Sequence, residues 1–118
     1  MIIIVRKGST FFGRIIITDK SYNRILLTET DKLIFTVKTD LNDDNKNYII
    51  KKIINSDREL NGEYCFELTP EETDLPAGTY FYDIGIQRKN GEFYHIDMPD
   101  EFIVKQSISR KEELNELL

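Results

Sequence analysis

The chain has 118 residues, enough for one domain with one core but not for two, and at 40% apolar and 31% charged it carries a well-solvated surface. Its net charge of −5 is spread among interspersed acids and bases, with no basic stripe to follow a phosphate backbone, so nucleic acid is not the expected partner. No segment approaches the ~20 apolar residues of a membrane span, and the single cysteine, Cys65, excludes an intrachain disulfide.

Met1-Ile2-Ile3-Ile4-Val5 precedes its charges, Arg6-Lys7, the reverse of a secretion signal, so residues 2–6 read as a short strand. Lys7-Gly8-Ser9-Thr10 is a turn, and residues 11–18 are a second strand in which Gly13 suggests a bulge. A polar connection follows, and Ile25-Leu26-Leu27 is either a short strand or an ordered loop. In residues 33–38, Leu33, Phe35 and Val37 alternate with Ile34, Thr36 and Lys38, the period of a half-buried strand. Residues 40–47 form an acidic, Asn-rich loop. Residues 48–55 hold two isoleucine doublets around Lys51-Lys52. That spacing also fits a helix, but four β-branched residues favour a strand. Residues 56–62 read as a loop with helical flavour, and Tyr64, Phe66 and Leu68 mark one face of the strand after it.

Residues 68–86, LTPEETDLPAGTYFYDIGI, organise the rest. Thr69 is an N-cap, Pro70 fits the first helical position and Glu72 completes a capping box. Pro76 and Gly78 stop the turn at once. The next strand puts Tyr80, Tyr82, Ile84 and Ile86 on one face and Phe81, Asp83, Gly85 and Gln87 on the other. A Leu, a Gly and a Tyr ahead of a strand are similar to the corner of immunoglobulin-like domains, in which the Tyr hydroxyl ties back to upstream backbone. Lys89-Asn90-Gly91 is the strongest hairpin signal, residues 92–96 return, and residues 101–106 are a last strand. Seven or more short strands at this spacing predict an all-β, immunoglobulin-like antiparallel β-sandwich over residues 1–106. Residues 107–118 are read as a short amphipathic C-terminal helix, capped by Ser109, with Leu114, Leu117 and Leu118 on one side. That stripe either folds back on the sandwich or docks on a neighbouring subunit, since so short a helix must pack on something.

The residues of chemical interest do not converge. His95 is the only histidine, has no second metal ligand at motif spacing and reads as a surface strand residue. Cys65 points away from Tyr64 and Phe66 and has neither a base nor a glycine elbow beside it. Asp40, Asn42 and Asp44 match the first three oxygen positions of a calcium loop, but Lys51 stands where the closing Glu belongs, so a solvated hairpin loop is expected. Glu71-Glu72 and Asp100-Glu101 are adjacent acids that point apart. No catalytic, metal or cofactor-binding residue is assigned and no cofactor is expected.

Taken together, Arg6-Lys7-Gly8-Ser9-Thr10, Thr30-Asp31-Lys32-Leu33-Ile34-Phe35-Thr36-Val37-Lys38, LTPEETDLPAGTYFYDI, Asn90-Gly91-Glu92 and Phe102-Ile103-Val104 resemble a family of phage proteins. These are the immunoglobulin-like N-terminal domains of baseplate upper proteins, and related small tail-associated proteins, of phages that infect Gram-positive bacteria. The resemblance covers residues 2–106 and is most specific in the LTPEETDLPAGTYFYDI run. It implies a non-enzymatic structural module of the virion, assembled in the host cytoplasm. Its partners would be other virion proteins, and a homo-oligomer is an option; neither nucleic acid nor membrane is expected. The fibre or receptor-binding region that often follows such a domain has no counterpart in the sequence. Candidate contacts are Leu114, Leu117 and Leu118, edge strands such as residues 2–6, and exposed aromatics among Phe11, Phe12, Tyr22 and Phe93. The alternatives are a module for host cell-wall carbohydrate and a capsid decoration or head–tail joining protein.

Overall fold

The computed structural model describes residues 1–41, 48–96 and 99–107. Its strands are β1 (Ile3–Arg6), β2 (Phe11–Ile15), β3 (Lys32–Lys38), β4 (Tyr48–Asn55), β5 (Glu59–Leu60), β6 (Glu63–Leu68), β7 (Gly78–Gln87), β8 (Phe93–His95) and β9 (Asp100–Lys105). The fold is therefore all-β. The larger sheet runs in the order β1-β9-β7-β3-β4, with β8 also paired to β7, and the smaller in the order β2-β6-β5. The sheet is not wholly antiparallel as predicted: β1 lies parallel to β9, with Ile4 beside Ile103. The chain can make that pairing because nearly the whole domain separates the two strands, giving the crossover that parallel neighbours require. The anticipated C-terminal helix, with Leu114, Leu117 and Leu118, lies outside the described residues. Among the described residues the one helical element is a 3-10 turn, Ser56–Arg58.

The two sheets bury one core between them. Leu33, Phe35 and Val37 from β3 are completely inaccessible, as are Leu68 and Phe102, so each contributes on the order of 1.5–3 kcal/mol of hydrophobic stabilisation. Phe35 forms the hinge of this packing. Its ring centroid lies 4.9 Å from that of Phe66 in the opposite sheet and 5.5 Å from that of Tyr82 on β7. The alternation predicted for β3, β6 and β7 holds, with Tyr80, Tyr82 and Ile86 inside. Residues 11–18 are shorter as a strand than expected, although Ile17 beyond β2 is still buried. Residues 25–27 are an ordered loop: the Ile25 amide bonds to the Ile17 carbonyl at 2.8 Å, and the Leu27 amide donates to the buried Tyr64 hydroxyl at 2.6 Å.

The bulge read at Gly13 is not found there, and the hairpins include one that the sequence reading does not contain. Gly13 is not a bulge; it pairs in register with Phe66, whose ring lies 2.3 Å from where a Cβ would stand. The bulge falls in β4, where the register with β3 shifts between Val37 and Lys38. The hairpin read at Lys89-Asn90-Gly91 is present and joins β7 to β8, and a tighter one stands at Asn61-Gly62, whose φ values of 54° and 82° join β5 directly to β6. Two consecutive left-handed residues are what a two-residue primed turn needs. Asn90-Gly91 instead sits in a wider loop closed by the Arg88 amide on the Glu92 carbonyl at 2.8 Å.

The corner at residues 69–80 braces one end of the molecule. The Thr69 amide donates to Glu72 Oε1 at 3.0 Å and the Glu72 amide to Thr69 Oγ1 at 3.2 Å, the reciprocal capping box read from the sequence. Lys52 Nζ reaches Glu72 Oε1 at 2.7 Å and so ties the edge of the larger sheet to this turn. Partial burial works against the Glu72 charge, but the hydrogen bond and charge of Lys52 and the Thr69 amide outweigh it and hold the carboxyl below its ordinary range. The Tyr80 hydroxyl donates to the Pro76 carbonyl at 2.6 Å, the tie expected of such a corner. Thr73, fully buried, donates to the Ser9 carbonyl at 2.7 Å, and Lys7 Nζ donates to the Leu75 carbonyl at 3.1 Å. The corner thereby fixes the β1–β2 turn, and with it the end of β1.

Candidate functional site

Two surfaces are built by these constraints. The first is the margin of the larger sheet at β1. Strand order leaves β1 with one described neighbour, β9. The Lys7 amide donates to the Lys105 carbonyl at 2.9 Å, so by alternation the backbone groups of Ile3 and Val5 also face β9, and those of Ile4 face outwards. Val5 is buried, whereas Ile2 and Ile4 are 50% and 54% exposed. Beside them on the same face, Ile103 is half-buried. Arg6 lies in register with Lys105, and one step beyond Ile3–Phe102 the same register brings Ile2 alongside Glu101. The margin is therefore apolar in the middle, cationic at one end and acidic at the other.

The second surface is the outer face of β4, β3, β7 and β8, a groove of about 350 Å³. The bulge in β4 creates it: the shift turns Tyr48 to the outside opposite Lys38, next to Lys51 opposite Thr36. Lys51 Nζ stands 5.4 Å from the centroid of the Tyr48 ring. At the far wall the Phe93 ring lies over Gly85, its Cζ 2.2 Å from a notional Cβ, and meets the His95 ring edge-on at 5.2 Å between centroids. His95 Nδ1 is 3.7 Å from Asp83 Oδ2 on the floor. Aromatic side chains thus flank a polar floor.

The residues singled out from sequence fall as follows. His95 lies on β8 as an exposed strand residue; its partner is Asp83. Cys65 is a half-buried free thiol pointing away from Tyr64 and Phe66. Of the calcium-like loop only Asp40 and Leu41 are described, and both are exposed; Asn42 and Asp44 lie outside the described residues. Glu72 is engaged by Lys52, and Asp100 by the Met1 amino group, which lowers its ionisation range. Phe12, Tyr22 and Phe93 are exposed, while Phe11 packs against the core. Among the described residues no group of three His, Cys, Asp or Glu side chains is placed to hold a metal ion, and no helix is long and apolar enough to cross a membrane. Sequence reading did not foresee the groove. Gly85 within an apolar strand was its one visible signal, because it marks a close approach by another side chain.

A scan against protein-family models and a search of curated proteins both returned no match.

Proposed function

We propose that the chain is a non-enzymatic structural module of a bacteriophage particle, in the tail or baseplate, that joins virion proteins through protein–protein contacts. In this reading the two sheets are an immunoglobulin-like sandwich. The Tyr80–Pro76 tie and the sheet order, β1-β9-β7-β3-β4 over β2-β6-β5, support that assignment. The run with the most specific resemblance is also the one that braces the β1 end. The step from fold to role is analogy. The observation that carries the role is the β1 margin. A strand edge with no second neighbour among the described residues and two half-exposed isoleucines is a surface that folded proteins ordinarily shield unless a partner covers it. The test is density-gradient purification of particles from the source culture, with quantitative mass spectrometry of the fractions. The chain should migrate with particles at a fixed ratio to the tail proteins, and recovery only as free protein refutes the reading. Immunogold labelling separates a tail or baseplate position from the capsid or neck.

The groove favours one second reading, a module for cell-wall saccharide, since aromatic walls over a polar floor suit sugar rings. Selective binding on a glycan array, lost in Phe93→Ala, supports it; no selective binding removes it.

A further inference from the structure

Among the described residues, β1 and β4 end the strand order of the larger sheet, and the two margins are not alike. β4 carries Lys51 and Lys52 at its centre, and edge lysines prevent one sheet from adding to another. β1 has no charge from Ile2 to Val5. Its charges sit at the ends: Arg6 next to Lys105 at one, Glu101 alongside Ile2 at the other. Among the described residues, none of these three side chains forms an ion pair within its own chain. Two adjacent unpaired cations on a sheet face are an unfavourable arrangement in the isolated chain.

We propose that β1 pairs antiparallel with β1 of a second copy of this chain about a two-fold axis through Ile4. The proposal rests on the assembly reading above and names the partner for that margin. The geometry follows from the register. With the axis at Ile4, Ile4 faces its own symmetry mate, Ile2 faces Arg6 of the second copy, and Ile3 faces Val5. The outward backbone groups of Ile4 then exchange hydrogen bonds with those of the second Ile4, which makes a closely bonded antiparallel pair. The Arg6 amide donates to the Ile2 carbonyl of the second copy, while the Arg6 carbonyl keeps its present bond from the Ser9 amide at 3.1 Å. Glu101 lies one strand inside Ile2, so it is about two strand spacings, ~10 Å between backbones, from Arg6 of the other copy, a gap that two extended side chains close. Arg6 of each copy meets Glu101 of the other, twice, by symmetry. Ile2, Ile4 and Ile103 of both copies merge into one apolar strip. The interface is self-complementary, as an isologous contact must be. A parallel pairing would instead set Arg6 against Arg6.

The test is the mass of the full chain by sedimentation velocity and light scattering across a wide concentration range. A concentration-dependent dimer is expected. Ile4→Lys should leave a folded monomer, and Arg6→Glu or Glu101→Arg should each weaken the dimer at least about tenfold. The double variant Arg6→Glu with Glu101→Arg should recover most of the affinity, because it restores the pair with its signs exchanged. Recovery distinguishes this contact from a general loss of surface charge. A monomeric wild-type chain overturns the proposal, as does a dimer indifferent to Ile4→Lys or a double variant no better than the singles. A chain that dimerises only when cut after Ser107 also overturns it, because its own residues 108–118 then occupy the margin. A monomer that still migrates with particles sinks the second copy as partner and leaves the assembly reading standing.

Discussion

Removing one oxygen atom tests the corner on which the β1 end depends. Tyr80→Phe keeps the ring, which is 7% exposed in the core, and deletes only the hydroxyl that donates to the Pro76 carbonyl at 2.6 Å. A buried carbonyl left without a donor costs up to ~3 kcal/mol, but Pro76 itself is exposed, so water can take over its oxygen. What remains is the net worth of one hydrogen bond, ~1–1.5 kcal/mol. For a domain of this length the unfolding entropy is about 0.25 kcal/mol per kelvin, so the melting temperature should fall by ~4–6 °C. Equilibrium urea unfolding followed by far-ultraviolet circular dichroism reads the same loss as a lower midpoint at unchanged slope. Tyr22→Phe is the control, since Tyr22 is 86% exposed in a loop and should change stability by less than ~0.5 kcal/mol. A Tyr80→Phe protein as stable as this control refutes the corner as a brace. A loss above ~3 kcal/mol refutes the rehydration argument instead.

Other substitutions probe the same framework. Thr73→Val retains shape but strips the Ser9 carbonyl of its donor at a fully buried site, so it should cost ~1–3 kcal/mol in urea unfolding, more than Tyr80→Phe. Gly13→Ala drives a methyl into the buried Phe66 ring and should cost ~1–3 kcal/mol. Gly85→Ala meets Phe93 just as closely, but that ring is 48% exposed and can swing away, so thermal melts should show the smaller loss. Glu72→Gln keeps a capping oxygen and removes the charge. Because the folded carboxyl titrates below its ordinary value of 4.5, the wild-type advantage is fully present above that pH and disappears as pH falls through the lower folded value. Stability measured from pH 7 down to pH 3 should therefore show the two proteins converging in acid. A gap that stays constant or widens contradicts the Lys52–Glu72 account.

What could be read from the chain beforehand was what neighbouring residues decide among themselves. The capping box at Thr69 and Glu72, the stop at Pro76 and Gly78, and the tie from Tyr80 each need only a few consecutive positions, and each is present as read. The alternation of β3 was visible for the same reason, since three apolar residues two apart leave one choice of inner face. The misreadings concern what another strand supplies or what a very short strand cannot show. Gly13 and Gly85 look alike locally, yet each is explained by an aromatic ring on another strand, Phe66 and Phe93. Asn61-Gly62 makes the tighter turn, but β5, of two residues, is too short to show a period. The parallel placement of β1 beside β9 cannot be seen in either strand alone, and it decides which charges stand together. Arg6, Lys105 and Glu101 are unremarkable in sequence and become a polarised margin only through the register Ile3–Phe102 to Arg6–Lys105. The surface most suited to a partner is thus written jointly by two segments almost a hundred residues apart, so local pattern could identify β1 as an edge candidate but not the charges that complement it.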